Sequence, residues 1–341
     1  MTAGERLRWQ VVDARHVHPG TVEQPALFNE PAEREIGRGE FRGLEFLHVR
    51  ARRVINTVSP RSPVPFRHTI NAYRGCSHAC AYCFARPTHE YLGLDSGADF
   101  DRVIVVKINA VERLRAELAP SRWPGEHIAM GTNTDPYQRA EGKYHLTRGI
   151  VEALGAAHNP FSILTKNTLV LRDLDVLQEA ARHTAVELCF SIATFDDEVW
   201  RASEPGTPHP RKRMEAVARL NEAGIRCGVL VAPILPGLSD RREQLAAVVD
   251  AAVDAGAPTI SPILLHLRTG VRDHFMGWLS DYRPDLVAAY EQRYRGAYAR
   301  TDDRERVSTL VRGLVADARR QQRGARHVTR VSERFERKAT V

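Results

Sequence analysis

Three cysteines lie within eight residues, Cys76-Ser77-His78-Ala79-Cys80-Ala81-Tyr82-Cys83, in the spacing C-x3-C-x2-C. They follow a β-rich run and the turn Tyr73-Arg74-Gly75. The chain has five cysteines, too few and too unevenly placed for a disulfide framework, so the cluster points to metal or redox chemistry. Three thiolates on one loop can each hold one iron of a [4Fe–4S] cluster and leave the fourth iron open to another ligand. The alternative is zinc. A closed zinc site wants four ligands, usually as two separated pairs. His78 lies between two of the cysteines, where such a loop can hardly point all four groups inward. Cys189 and Cys227 are remote in sequence, within apolar runs, although folding could bring one near. Iron–sulfur is the preferred reading.

The rest of the chain limits the frame around that loop. Six β-rich runs, at 66–73, 127–132, 161–166, 186–193, 226–234 and 258–267, alternate with amphipathic stretches such as 147–158, 172–182, 209–223 and 240–255. Strands alternating with helices predict a parallel sheet of βα units, either a partial barrel or a doubly wound sheet. We expect residues 1–65 as a lead-in closing at SPRSPVP, 66–270 as the core, and 271–341 as a helical extension. The 21 residues at the C-terminus hold six Lys or Arg against two Asp or Glu. That basic tail reads as a solvated face or as a contact for nucleic acid phosphates. Hydrophobic residues at 43% and charged residues at 27% exclude a disordered or collagen-like chain. The longest apolar runs fall short of the ~20 residues of a membrane helix, and MTAGERLRWQ carries no apolar signal segment. A soluble, cytoplasmic protein with no membrane partner is expected. The net charge of +7 keeps nucleic acid or a phosphorylated substrate in view.

Asn71-Ala-Tyr73-Arg74-Gly75-Cys76-Ser-His78-Ala-Cys80-Ala-Tyr82-Cys83-Phe84-Ala-Arg86 and Gly131-Thr132-Asn133-Thr134-Asp135-Pro136-Tyr137-Gln138 resemble the radical SAM superfamily. Within it they are similar to the spore photoproduct lyase-like, or DNA repair photolyase-like, branch. The resemblance spans about residues 50–300. It implies an α/β fold, a partial (β/α)6 TIM-like barrel with the site at the C-terminal ends of the strands. It implies two cofactors, a [4Fe–4S] cluster on Cys76, Cys80 and Cys83 and S-adenosylmethionine (SAM) on the open iron. Reductive cleavage of SAM would release a 5′-deoxyadenosyl radical that abstracts hydrogen from a substrate. An electron donor such as flavodoxin or ferredoxin is implied as partner.

By the same resemblance Tyr82 would lie near the SAM adenine, and Thr134, Lys166 and Ser191 would contact SAM at successive strand ends. Asp135, Tyr137 and Gln138 look like the wall of a substrate pocket, and His266 and Arg268, ending the sixth strand, would recognise substrate. Glu204 follows the fourth strand, where the superfamily often places polar SAM contacts, and the nearby Arg213 could pair with a carboxylate. Both could equally serve a helix cap, and Pro233 would shape the edge of the fifth strand. Tyr290, Tyr294 and Tyr298 repeat every four residues and read as one packed helix face rather than a base-stacking platform. One departure bears on the reaction. Spore photoproduct lyase carries a hydrogen-donating cysteine near the end of its second strand, where this chain has Thr132. A hydroxyl is a poor hydrogen-atom donor, which speaks against thymine photoproduct repair by that route. The readings carried forward are a radical SAM enzyme of unidentified substrate, a lyase or modification enzyme acting on DNA or RNA, and a non-catalytic iron–sulfur or zinc protein that senses redox state or binds nucleic acid.

Overall fold

The computed structural model describes residues 11–13, 32–62, 64–119 and 123–339. Side chains are described from 32 to 324 within those ranges. In the basic tail expected for the last 21 residues the backbone is described to 339 but the side chains only to 324, and residues 1–10 and 14–31 of the lead-in lie outside the described residues.

Twelve strands form two sheets among the described residues: β1 Val11–Asp13, β2 Ala32–Ile36, β3 Glu45–Val49, β4 Ile55–Thr57, β5 His68–Ile70, β6 Tyr73–Arg74, β7 Val103–Lys107, β8 Ile128–Met130, β9 Phe161–Thr165, β10 Val186–Ser191, β11 Arg226–Ile234 and β12 Ile260–Leu264. The larger sheet runs β12-β11-β10-β9-β8-β5-β4. From β5 to β12 every neighbouring pair is parallel, and β4 closes one edge antiparallel to β5. The sheet does not close on itself, so the architecture is a partial α/β barrel of six parallel strands.

The connecting helices follow from the sequence. Leu146–Ala156 buries Leu146, Ile150, Val151 and Leu154, spaced to share one face. Arg242–Asp254 does the same with Leu245, Val248, Val249 and Ala252. Pro210–Glu222 begins with proline at a position whose N–H has no helical partner, and the His209 side chain accepts from Arg211 N. Their apolar faces meet Ile163, Leu188, Phe190 and Val229 in one continuous core. Each fully buried side chain of that size contributes about 1.5–3 kcal/mol.

The smaller sheet, β1-β2-β3-β7-β6, joins strands from the lead-in to two from the core segment. The run expected over 66–73 therefore splits. His68–Ile70 stays in the barrel, while Tyr73–Arg74 crosses to pair with β7. This crossing aims the cysteines at the strand ends. Beyond residue 270 come helices Arg272–Tyr282, Val287–Arg293 and Thr301–Ala339. The last covers β12 and packs Val307, Val311 and Leu314 into the main core. No helix among the described residues is long and apolar enough to cross a membrane.

Candidate active site

The cysteine loop leaves β6 through Gly75, at φ +80°. A Cβ there would lie 2.7 Å from the Val103 carbonyl oxygen, so glycine is required for both conformation and space. Short turns then follow, with Ala79 N donating to Cys76 O (3.2 Å) and Cys83 N to Cys80 O (3.2 Å). Three clamps fix the loop. Gln138 accepts from Ser77 N (3.0 Å) and donates to Gly75 O (2.9 Å). The guanidinium of Arg86, fully buried, donates to Cys80 O (3.0 Å) and pairs with Asp101 (2.9 Å). On the far side, Ala81 N donates to Ser203 O (3.0 Å) and Gly206 N to His78 O (3.1 Å).

Gly206 is the tightest of these contacts. A Cβ on it would stand 2.1 Å from Ser77 O and 2.9 Å from the His78 Cα. Gly206→Ala is therefore expected to push the cysteine loop outward, at a cost of about 1–3 kcal/mol. Iron uptake and thermal midpoint should fall together in that variant; retention of both at wild-type values would contradict the clamp.

All three cysteines face a cavity at the C-terminal ends of the barrel strands. His78, Tyr82 and Phe84 join them from the loop, Thr132, Thr134 and Asp135 follow β8, and Lys166 follows β9. Ser191, Pro233 and His266 come from the ends of β10, β11 and β12, and Leu164, Leu230, Ile263 and Leu265 make the rest of the wall apolar. Lys166 Nζ donates to Ser191 Oγ (2.6 Å) and to Glu204 Oε1 (3.1 Å), and it lies 5.5 Å from the Tyr82 ring centroid. Tyr82 OH donates to the same Glu204 oxygen. The other carboxylate oxygen takes Arg213 Nη2 (2.5 Å). Burial alone would raise the Glu204 carboxyl, but Arg213 and Lys166 hold it down at about 2. Glu204 lies behind the wall, as an anchor for two cavity residues.

Thr134 donates its hydroxyl to Gly75 O (2.6 Å) and accepts from Gln138 (2.8 Å). Ser191 donates to Ala232 O (2.6 Å). Each hydroxyl has given its hydrogen to a carbonyl and accepts one bond, leaving one lone pair for a ligand's O–H or N–H. Asp135 accepts from Thr165 Oγ1 (2.7 Å), Lys166 N (2.7 Å) and Tyr137 N (2.9 Å), and one of its oxygens lies 3.5 Å from His78 Nδ1.

Three expected substrate contacts stand elsewhere. Tyr137 is fully buried in the main core and does not line the cavity. Gln138 spends its amide bracing the cysteine loop and the Thr134 hydroxyl. Arg268 is exposed and outside the cavity, two residues past His266 on the outgoing chain. The tyrosine stripe also divides. The helix ends at Arg293, Tyr290 and Tyr294 stack in a buried cluster, and Tyr298 lies beyond the helix, exposed, against His266. Arg86 closes the cysteine motif, and its clamp depends on partners at 96–101 that no local pattern announces.

The donor set fits an iron–sulfur cluster. The three thiols are free, and Cys189 and Cys227 are outside the cavity. Burial pushes all three thiols above their ordinary value, reinforced at Cys76 by Asp135 and at Cys80 by Glu204. They are neutral until a cation offsets that cost, and metal binding would deprotonate them. Among the described residues no three His, Cys, Asp or Glu groups converge on a single ion. A cluster makes no such demand, because each thiolate takes a separate iron. His78 is no fourth zinc ligand, since Asp135 faces one ring nitrogen and Asn167 (3.3 Å) the other.

The family model for the radical SAM superfamily matches residues 70–249. The chain belongs to the radical SAM superfamily. Members use a [4Fe–4S] cluster and SAM. Among relatives of this radical SAM protein, the uncharacterized protein Rv2578c of Mycobacterium tuberculosis is 45% identical over 318 residues, covering 92% of this chain and 93% of that one. A Pseudomonas phage M6 protein named radical SAM Nalpha-GlyT isomerase is 27% identical over 180 residues, 51% of this chain and 35% of its own. A spore photoproduct lyase variant, solved with bound AdoMet and dinucleoside spore photoproduct, superposes with a TM-score of 0.61 at 18% identity. That match covers 79% of this chain and 78% of the lyase, and it shows a shared fold.

Proposed function

We propose that this radical SAM enzyme carries a [4Fe–4S] cluster on Cys76, Cys80 and Cys83, cleaves SAM reductively, and abstracts hydrogen from a substrate held at the mouth of the cavity. The observation that carries the reading is the meeting, in one largely apolar cavity, of three free thiols with Lys166, Ser191, Thr134 and Tyr82. Cluster and SAM together supply a one-electron cleavage of a carbon–sulfur bond and a carbon-centred radical. A one-electron reductant such as flavodoxin or ferredoxin is the partner this class generally requires.

The chain's own residues bind, orient and exclude water. Lys166 has three N–H donors, of which Ser191 and Glu204 use two; the third is free for the SAM carboxylate. The Tyr82 ring, held by Glu204, offers a face for the adenine. The remaining lone pairs of Thr134 and Ser191 accept from SAM's ammonium or ribose. Leu164, Leu230, Ile263 and Leu265 keep the reacting centre dry.

Loss of the Lys166 contact removes a charge-assisted hydrogen bond of about 1.5–3 kcal/mol, a factor of about 10–100 in affinity. Calorimetric titration of SAM into iron-loaded, anaerobic Lys166→Ala should read that weakening, whereas wild-type affinity in the variant would remove Lys166 from the SAM site. Polar contacts at three strand ends also count against a non-catalytic redox sensor, which has no use for them.

A nucleic acid substrate is the second reading. It is favoured by the dinucleoside photoproduct in the similarly folded lyase and by the net charge of +7. Photoproduct repair through a thiol hydrogen donor is not proposed. Thr132 lines the cavity and bonds to Asn71 (3.3 Å), and the cysteines lining it among the described residues are the three of the loop.

A further inference from the structure

Six large hydrophobic side chains are exposed among the described residues, and three of them, Phe84, Ile263 and Tyr298, gather at the cavity mouth. Phe84 and Ile263 line the cavity itself. His266 belongs both to it and to an adjoining cleft formed with Tyr298, Arg304 and Ser308. The rings make a row. The centroids of Phe84 and His266 are 6.0 Å apart, and those of His266 and Tyr298 are 5.6 Å apart with planes at 29°. An antiparallel bridge between His266 and Tyr298, with Leu267 N donating to Ala297 O (2.7 Å), fixes Tyr298 although its helix has ended. The Arg304 guanidinium lies 5.7 Å from the Tyr298 ring centroid, and exposed Arg268 follows His266 by two residues.

Exposed aromatic rings are costly to leave in water, and a row of them beside cations suits a neutral planar ring joined to an anionic group. The row begins next to Cys83 and runs outward, so a ring bound on it is continuous with the reaction cavity. A base inside a duplex has both faces covered by its neighbours and cannot lie on such a row; an unpaired base can. We infer that Phe84, His266 and Tyr298 form a stacking subsite for an unpaired base of a single-stranded nucleic acid, with the flanking phosphates met by Arg268 and Arg304. This inference rests on the reading of the cavity as the reaction site and names the substrate class it admits.

The test is a fluorescence anisotropy titration of the full chain into a short labelled single-stranded oligonucleotide, in DNA and RNA forms, at low salt. Wild type should bind at least one form, and Tyr298→Ala should weaken that binding by about tenfold or more. Tyr298→Phe, which keeps a stacking ring, should stay near wild type. Tyr91→Ala, which removes an exposed ring outside both cavities, should change nothing. Annealing the complementary strand should weaken binding by a similar factor. Absence of binding, wild-type binding by Tyr298→Ala, or equal affinity for the duplex would each overturn the subsite; the last two would assign any affinity to phosphate contacts alone. The readout is separate from SAM chemistry. A chain that grips the strand but yields no 5′-deoxyadenosine contradicts the proposed reaction and leaves the subsite standing, and the reverse contradicts the subsite alone.

Discussion

Replacing Glu204 by alanine should cost the folded state about 3–5 kcal/mol, because it leaves buried charges without a partner. Arg213 has no solvent exposure, and its guanidinium reaches Glu204, Thr207 Oγ1 (2.5 Å) and Ser191 O (3.0 Å). With the carboxylate gone, only neutral acceptors face that charge, and Lys166 loses its ion pair as well. Glu204→Gln keeps the shape and should fall between alanine and wild type. The pH dependence has a definite sign. The folded carboxyl titrates at about 2 against an ordinary value of 4.5, so its stabilisation is complete above 4.5 and is lost as pH falls towards 2. The amount lost is about 3 kcal/mol. Urea midpoints measured across that window should drop for wild type, and the drop should be smaller for Glu204→Gln. Equal midpoints for Glu204→Ala and wild type at neutral pH would contradict the buried pairing.

The local patterns were informative where function and structure are both local. C-x3-C-x2-C puts all three thiols on one loop whatever surrounds it. The six parallel strands and their helices could be read because β-branched runs alternate with amphipathic stretches, whereas the choice of a partial barrel over a doubly wound sheet came only from the resemblance of the motifs. What escaped was pairing over long distance. Val103–Lys107, wholly buried and rich in valine, is as strand-like as any run in the chain, yet nothing in it says that Glu45–Val49 lies alongside. The second sheet therefore went unforeseen, and with it the crossing of Tyr73–Arg74 that aims the cysteines. Gln138 was legible as a polar residue near the site but not as a brace, because its partners Gly75 and Ser77 lie about sixty residues away. Period-four spacing placed Tyr298 with Tyr290 and Tyr294, whereas the helix stops at Arg293, and Tyr298 takes its position from a backbone bridge to His266.

Loss of any one loop cysteine should abolish SAM cleavage outright. Each thiolate would hold its own iron, and the described residues place no fourth cysteine in the cavity to replace a lost one. Cys80→Ala is the sharpest case, since the Cys80 carbonyl stays in the grip of Arg86 and the loop keeps its clamp while losing a ligand. Iron content should fall and 5′-deoxyadenosine should drop to background in Cys76→Ala, Cys80→Ala and Cys83→Ala alike, with the thermal midpoint of the metal-free protein little changed. The decisive measurement is made on wild type under anaerobic conditions: the protein is reconstituted with iron and sulfide, given dithionite and SAM, and 5′-deoxyadenosine is sought by chromatography, with and without single-stranded oligonucleotide. The account predicts that it forms and that it requires all three cysteines. Its absence from protein that holds a full cluster and binds SAM, or its undiminished formation in Cys80→Ala, would contradict the account.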